Sequence, residues 1–353
     1  MDWVYVVLIL LVIACAGTSG WALALRQRLD AAERELLARP VVQLPADPPR
    51  PPVPAPPAAP ARPPAPEPLP DLAAPRALPN VTDSQPDSTV DGARLGRVAV
   101  RAGATRGELN RLDGLARRQA VGVTVLSKFD PPALLSCVAA GLPGSEHSQL
   151  GAVQACRTLH GRLNERATSL ALDAAWKDAG ANVATARDEL RRLLREAAAE
   201  VGKSLTLTAK SRNLEPESVS TSLTFLLSRL GDTPRRQHLV AGVGDGVLLR
   251  MSSNGKWSTD HAEAAQPLAG LPDNADLIGW QTAETGPGDV LVLCSATTAS
   301  FLQRDKISAG LIADWQAAPP DLVRFFWYLN QTDPAREDHA AVGIWELPPS
   351  SAT

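Results

Sequence analysis

Read from the amino terminus, the chain changes its pattern of hydrophobic and polar positions several times. Residues 3–25 (WVYVVLILLVIACAGTSGWALAL) carry no charge, and as a helix they would reach roughly 34 Å at about 1.5 Å per residue, enough to cross a hydrocarbon core. Trp3, Tyr5 and Trp21 stand near the ends of this run and Arg26 and Arg28 follow it, the flanks expected of a single transmembrane helix over 1–25 with the remainder cytoplasmic. A cleaved signal peptide, or a lipoprotein signal at Val12–Cys15, would need a basic start, and only Met1 and Asp2 precede the apolar run. Residues 26–39 alternate charges with leucines and predict a short juxtamembrane helix. Between Pro40 and Pro79 lie 17 of the 31 prolines, a composition that cannot build a core, so 40–90 is expected to be a disordered, extended spacer.

From about Asp91 the pattern becomes that of a folded domain, 91–348, with a short tail over 349–353. Residues 97–100, 121–126, 134–139 and 219–227 read as strands, 134–139 as a buried one because its apolar run is continuous and 219–227 on its β-branched residues. Periodic segments over 150–164 and 173–201 predict helices, with the second ending at Gly202. In HLVAGVGDGVLLRM (238–251), Gly244, Asp245 and Gly246 suggest a hairpin turn between two strands. Further strands are expected at 277–282, 289–294 and 340–347, and helices at 311–317 and 321–329. Strands grouped around a central helical pair, without strict alternation, indicate an α+β sandwich and argue against a doubly wound nucleotide-binding fold.

Composition narrows the chemistry. A net charge of -3 and an isoelectric point near 6 give no global electrostatic case for nucleic acid. Cys15, Cys137, Cys156 and Cys294 lie in apolar segments with no CxxC pair, so neither a zinc site nor a disulfide framework is expected. The histidines His147, His160, His238, His261 and His339 are scattered without metal-ligand spacing. Asn80 and Asn330 begin glycosylation sequons, which a cytoplasmic domain would never present to that machinery. Richness in arginine, alanine and proline suggests a high-GC bacterial source.

Several segments, in order, resemble the metal-dependent protein serine/threonine phosphatase 2C family, also called PPM-type. They are LNRLDG (109–114), LLSCVAAGLPGSEHSQLGAVQAC (134–156), VSTSLTFLL (219–227), the glycine-aspartate turn at Gly244 and Asp245, GDVLVLCSAT (288–297) and REDHAAVGIWEL (336–347). The resemblance covers about Asp91 to Leu347. It implies a four-layer α-β-β-α sandwich of two antiparallel sheets. It also implies Mg2+ or Mn2+ held by carboxylates, which activate the water that attacks a phosphoserine or phosphothreonine.

Most of those carboxylates are missing. Ala140 stands where VADG would supply the bridging aspartate, and Ala296 stands where SDG would supply another. Asp113 from the first signature and Glu337 or Asp338 from the last are the residual metal candidates, while Arg106 lies near a phosphate-gripping position without matching it. Asp245 reads as a turn residue. His147, beside Ser145 and Glu146, is a candidate to rebuild a site with His339 beside Glu337. Two surviving carboxylates are too few for a metal pair. The expectation is therefore a membrane-anchored pseudophosphatase with no cofactor, binding a kinase or phosphoprotein in phospho-signalling. The alternative is an active phosphatase using Mg2+ or Mn2+ in an atypical site, and a third possibility is an exported domain that only shares the fold.

Overall fold

The structure, a computed structural model, describes residues 85–165, 183–231, 233–260, 269–331 and 337–348. Two antiparallel sheets form its centre. One has six strands in the order β1 (Ser88–Leu95), β2 (Val98–Thr105), β11 (His339–Glu346), β10 (Val290–Cys294), β7 (Val247–Met251) and β8 (Trp257–Asp260). The other has five, in the order β3 (Gln119–Leu126), β4 (Ala133–Gly141), β5 (Thr221–Arg229), β6 (Arg236–Val243) and β9 (Gly279–Thr285).

The sheets stack face to face through Val100, Ala102, Val342 and Leu293 from one side and Leu134, Val138, Leu226 and Val240 from the other. This explains the continuous apolar runs. A central strand is covered on both faces, so β11 buries all eight of its residues and β5 all but Arg229. Helices α2 (Ser148–Glu165) and α3 (Val183–Lys210) cover the outer face of the five-stranded sheet. Along α3, Leu190, Leu194, Ala197, Val201 and Leu205 are buried at spacings of three and four, while Arg191 and Arg192 stay exposed. The outer face of the six-stranded sheet is covered by α4 (Ala296–Leu302), α5 (Asp305–Ala317) and α6 (Leu322–Leu329). There Trp315 packs between Phe325, Tyr328 and Trp345, with ring centroids 5.3–5.7 Å apart. The expected four-layer α+β sandwich is the observed architecture.

Two expectations are corrected. The apolar segments on either side of Gly244–Gly246 are strands, but they do not form a hairpin. β6 pairs with β5 and β9, whereas β7 pairs with β10 and β8 in the other sheet, so the turn carries the chain across the sandwich. The crossing is tight: Gly244 has φ +102°, and a Cβ there would lie 2.4 Å from that of Ser222.

The second correction concerns the membrane. Among the described residues no helix is long and apolar enough to cross one. Helix α3 has the length, at 28 residues, but carries charges along its exposed face; α6 is apolar, but its eight residues rise only about 12 Å. The expected span over 1–25, the juxtamembrane helix over 26–39, residues 40–84 of the spacer expected over 40–90 and the tail 349–353 lie outside the described residues, while the last residues of that spacer, Ser88–Val90, are not disordered but begin β1. Single-pass anchoring, the membrane as a partner and a cell-membrane location therefore find no support and are not carried forward.

At one end of the sandwich the sheets are joined by a buried ion pair. Arg236 on β6 donates from Nε and Nη2 to the two carboxylate oxygens of Glu346 on β11, at 2.6 and 3.1 Å. The opposite end of β11 opens onto a cleft.

Candidate functional site

The cleft, of about 380 Å³, lies where β4 ends, β10 gives way to α4, β11 begins, and the short helix α1 (Glu108–Leu112) leads toward β3. Ala140, Ala296, Asp245, Glu337 and Asp338 all line it. The fold thus brings together the two alanines and both carboxylates of the last signature. It leaves out Asp113, which is exposed at the C-cap of α1 and is not part of the cleft wall. His147 lines a neighbouring hollow with Ser145 and Glu146, and His339 is buried with its ring stacked on Phe301 at 4.7 Å, so these residues do not rebuild a site together. Arg106 is buried and ion-paired to Asp87 at 3.0 Å.

Asp338 is the buried acid of the cleft, 4 % exposed. Its Oδ1 accepts from the Gly107 main-chain N–H at 2.6 Å and from Asn110 Nδ2 at 2.9 Å, and its Oδ2 accepts from the Arg118 main-chain N–H at 2.5 Å. A carboxylate has about four acceptor positions, so most of its capacity is used. Burial raises its pKa, and these three donors, with the charge of Arg117, oppose the rise. Arg117 is itself lowered to about 10 by burial, against the attraction of Asp338 and Asp87.

Gln119 and Arg118 complete the site. Gln119 lies directly opposite Ala140 in the β3–β4 register, and side chains in such a pair share one face. Its Nε2 donates to Thr297 Oγ1 at 3.2 Å and to the main-chain oxygen of Asp338 at 2.9 Å. The amide thus ties the five-stranded sheet to the head of α4 and the start of β11. Ser295 caps α4, its Oγ accepting from the Thr298 N–H. The Arg118 side chain turns the other way, donating from Nε to Ser148 Oγ at 2.9 Å and from Nη2 to the carbonyls of Leu142 and Ser145 at 2.6 and 3.2 Å. It fastens the loop that follows β4.

Among the described residues, no three His, Cys, Asp or Glu side chains converge closely enough to hold a metal ion. The family model described as Protein phosphatase 2C matches residues 106–316, more than half of the chain. The chain belongs to the protein phosphatase 2C family. The S. agalactiae serine/threonine phosphatase has a similar fold, with a TM-score of 0.51 at 11% identity over 70% of this chain and 99% of that one. PppA, a key regulatory component of T6SS in Pseudomonas aeruginosa, aligns at 16% identity over 73% of this chain and 96% of its own, with a TM-score of 0.43. No curated protein sequence matches the chain.

Within this phosphatase 2C domain, Gln119, Arg118 and Asn110 escape a reading of the sequence. Each is a polar residue in a polar stretch, and only the strand register and the return of β11 bring them to the cleft.

Proposed function

We propose that this phosphatase 2C domain is a pseudophosphatase: a protein-binding, regulatory module of phospho-signalling that recognises a kinase or a phosphoprotein and does not hydrolyse phosphate esters. The observation that carries this reading is the bridge from Gln119, which stands opposite Ala140 in the β3–β4 ladder, to Thr297 and the main-chain oxygen of Asp338. The donor set does not fit a pair of divalent cations. Such a pair needs several hard oxygen ligands to offset its charge. Two of the implied positions are alanine, and Asp338 is turned to main-chain and asparagine donors. With no activated water supplied, the cleft's own residues offer a rigid surface of hydroxyl, amide and carboxylate groups suited to recognition.

The alternative is an active metal-dependent serine/threonine phosphatase holding Mg2+ or Mn2+ on Asp113, Glu337 and Asp338. In its favour, Glu337, Asp338 and Asp245 share the cleft; against it, Asp113 is outside the cleft wall. Hydrolysis of a phosphothreonine peptide by the full chain with added Mn2+ separates the two. The pseudophosphatase reading expects no turnover above that of an Asp338→Ala control. Mn2+-dependent turnover lost in that control and in Glu337→Ala would establish the alternative.

A further inference from the structure

Away from the phosphatase cleft, a second hollow of about 260 Å³ runs along β3. Residues Ala120 through Thr124 form one wall, and α2 contributes Val153, Arg157 and His160 to the other, at the spacings of three and four that place side chains on one helix face. β3 is the outer strand of its sheet and pairs with β4 alone among the described strands. The Gly141 N–H donates to the Arg118 carbonyl, and main-chain bonding alternates along an antiparallel ladder. The main-chain groups of residues 120, 122 and 124 therefore face β4, and those of Val121, Val123 and Val125 face outward. An outer strand beside a helix, with its N–H and C=O groups turned away from the sheet, is the geometry that accepts an added strand.

The charge of the groove selects what is added. Its wall holds Arg117, Arg157 and His160 and no aspartate or glutamate. An adjoining hollow that shares Arg157 adds Arg212, again with no acid. Arg117 is 2 % exposed, its Nη1 donates to Thr89 Oγ1 and the Ala104 carbonyl, and its Nε has no hydrogen-bond partner. In a chain of net charge -3, basic groups lining a groove whose wall carries no acid favour an anionic partner, although Arg117 is also drawn toward Asp338 and Asp87 outside that wall.

We propose that this groove binds an extended, acidic segment of a partner protein, which adds to β3 as a further strand and directs its carboxylates to Arg157, Arg117 and His160. The groove requires nothing of the cleft, so it stands whether or not the domain hydrolyses phosphate esters. The test uses the full chain and a fluorescent, end-blocked peptide of alternating valine and glutamate, followed by anisotropy. Saturable binding is expected, weakening as salt is raised and absent for the same peptide with lysine in place of glutamate. Arg157→Glu, an exposed change, weakens it at least tenfold. Val123→Pro, which removes an outward N–H and spares the β4 ladder, weakens it similarly, with thermal unfolding of both variants confirming that they fold. No binding, equal binding of the lysine peptide, or binding unchanged in Arg157→Glu would overturn the proposal.

Discussion

Gln119 stands across the β3–β4 ladder from Ala140, and its side-chain amide reaches over to the main-chain oxygen of Asp338, 2.9 Å away. A side chain of one sheet is thereby fastened to the residue that leads into a central strand, β11, of the other. The fastening is made with neutral hydrogen bonds at the position where the phosphatase 2C resemblance implies a bridging carboxylate.

The first consequence is for stability. Gln119 is 7 % exposed, and replacing it with alanine removes one of the two donors to the Asp338 carbonyl, leaving the longer bond from Thr297 Oγ1 at 3.3 Å, and one of the partners of Thr297. Gln119→Ala is expected to lose about 1–3 kcal/mol in urea unfolding. A loss under a few tenths would mean that the amide does not fasten the sheets.

A second consequence concerns repair of the site. Ala140→Asp with Ala296→Asp restores two carboxylates but leaves the Gln119 amide beside position 140, so the double variant is expected to bind Mn2+ weakly. Adding Gln119→Ala should raise that affinity on the order of tenfold, the scale of effects from groups surrounding metal ligands. Equal Mn2+ affinity in the double and triple variants, measured by calorimetry, would remove Gln119 from the account.

His238 gives a prediction in pH. It is fully buried between Ser228 Oγ and Thr285 Oγ1, at 2.8 and 2.7 Å, and burial, helped by the charges of Arg236 and Arg250, lowers its pKa to about 3. A depressed histidine stabilises the fold above its unfolded pKa of 6.5, and that contribution is lost as pH falls toward about 3. Below pH 6.5 the wild-type chain should lose up to about 1.4 kcal/mol per pH unit more than His238→Gln. Parallel pH profiles for the two proteins would contradict this.

At the far end of the sandwich, Arg236 and Glu346 are both almost wholly buried. Glu346→Gln leaves a guanidinium charge inside the protein without its partner, and a loss of about 3–5 kcal/mol is expected in denaturant unfolding. Arg97 lies 3.7 Å from the same carboxylate and is a second cation that would lose its partner, so a loss below 1 kcal/mol would contradict this.

Much of this architecture is legible in the sequence because burial on both faces leaves nearly continuous apolar runs: β4, β10 and β11 announce themselves this way, and β5 does so through its β-branched residues. What the runs do not carry is which sheet a strand joins. The segments around Gly244 therefore read as a hairpin, while the backbone crosses from one sheet to the other. β1 (STVDGARL) carries no such signal because an edge strand with exposed positions has few apolar residues, and α4 carries none because seven residues are too few to show a helical period. At the site, the alanines at 140 and 296 stood out against the resemblance, and they do line one cleft. The residues that fill the cleft did not stand out. Gln119 lies in RRQAV, where nothing distinguishes it from a solvated surface, and Asp338 becomes a hydrogen-bonded anchor only through partners about 220–230 residues away in the chain.

The most direct test is a calorimetric titration of the full-length chain with Mn2+, run alongside the Ala140→Asp, Ala296→Asp, Gln119→Ala variant. The account predicts no saturable binding at the wild-type cleft and measurable binding in the variant. Two ions bound by the wild-type chain and lost on Asp338→Ala would contradict it.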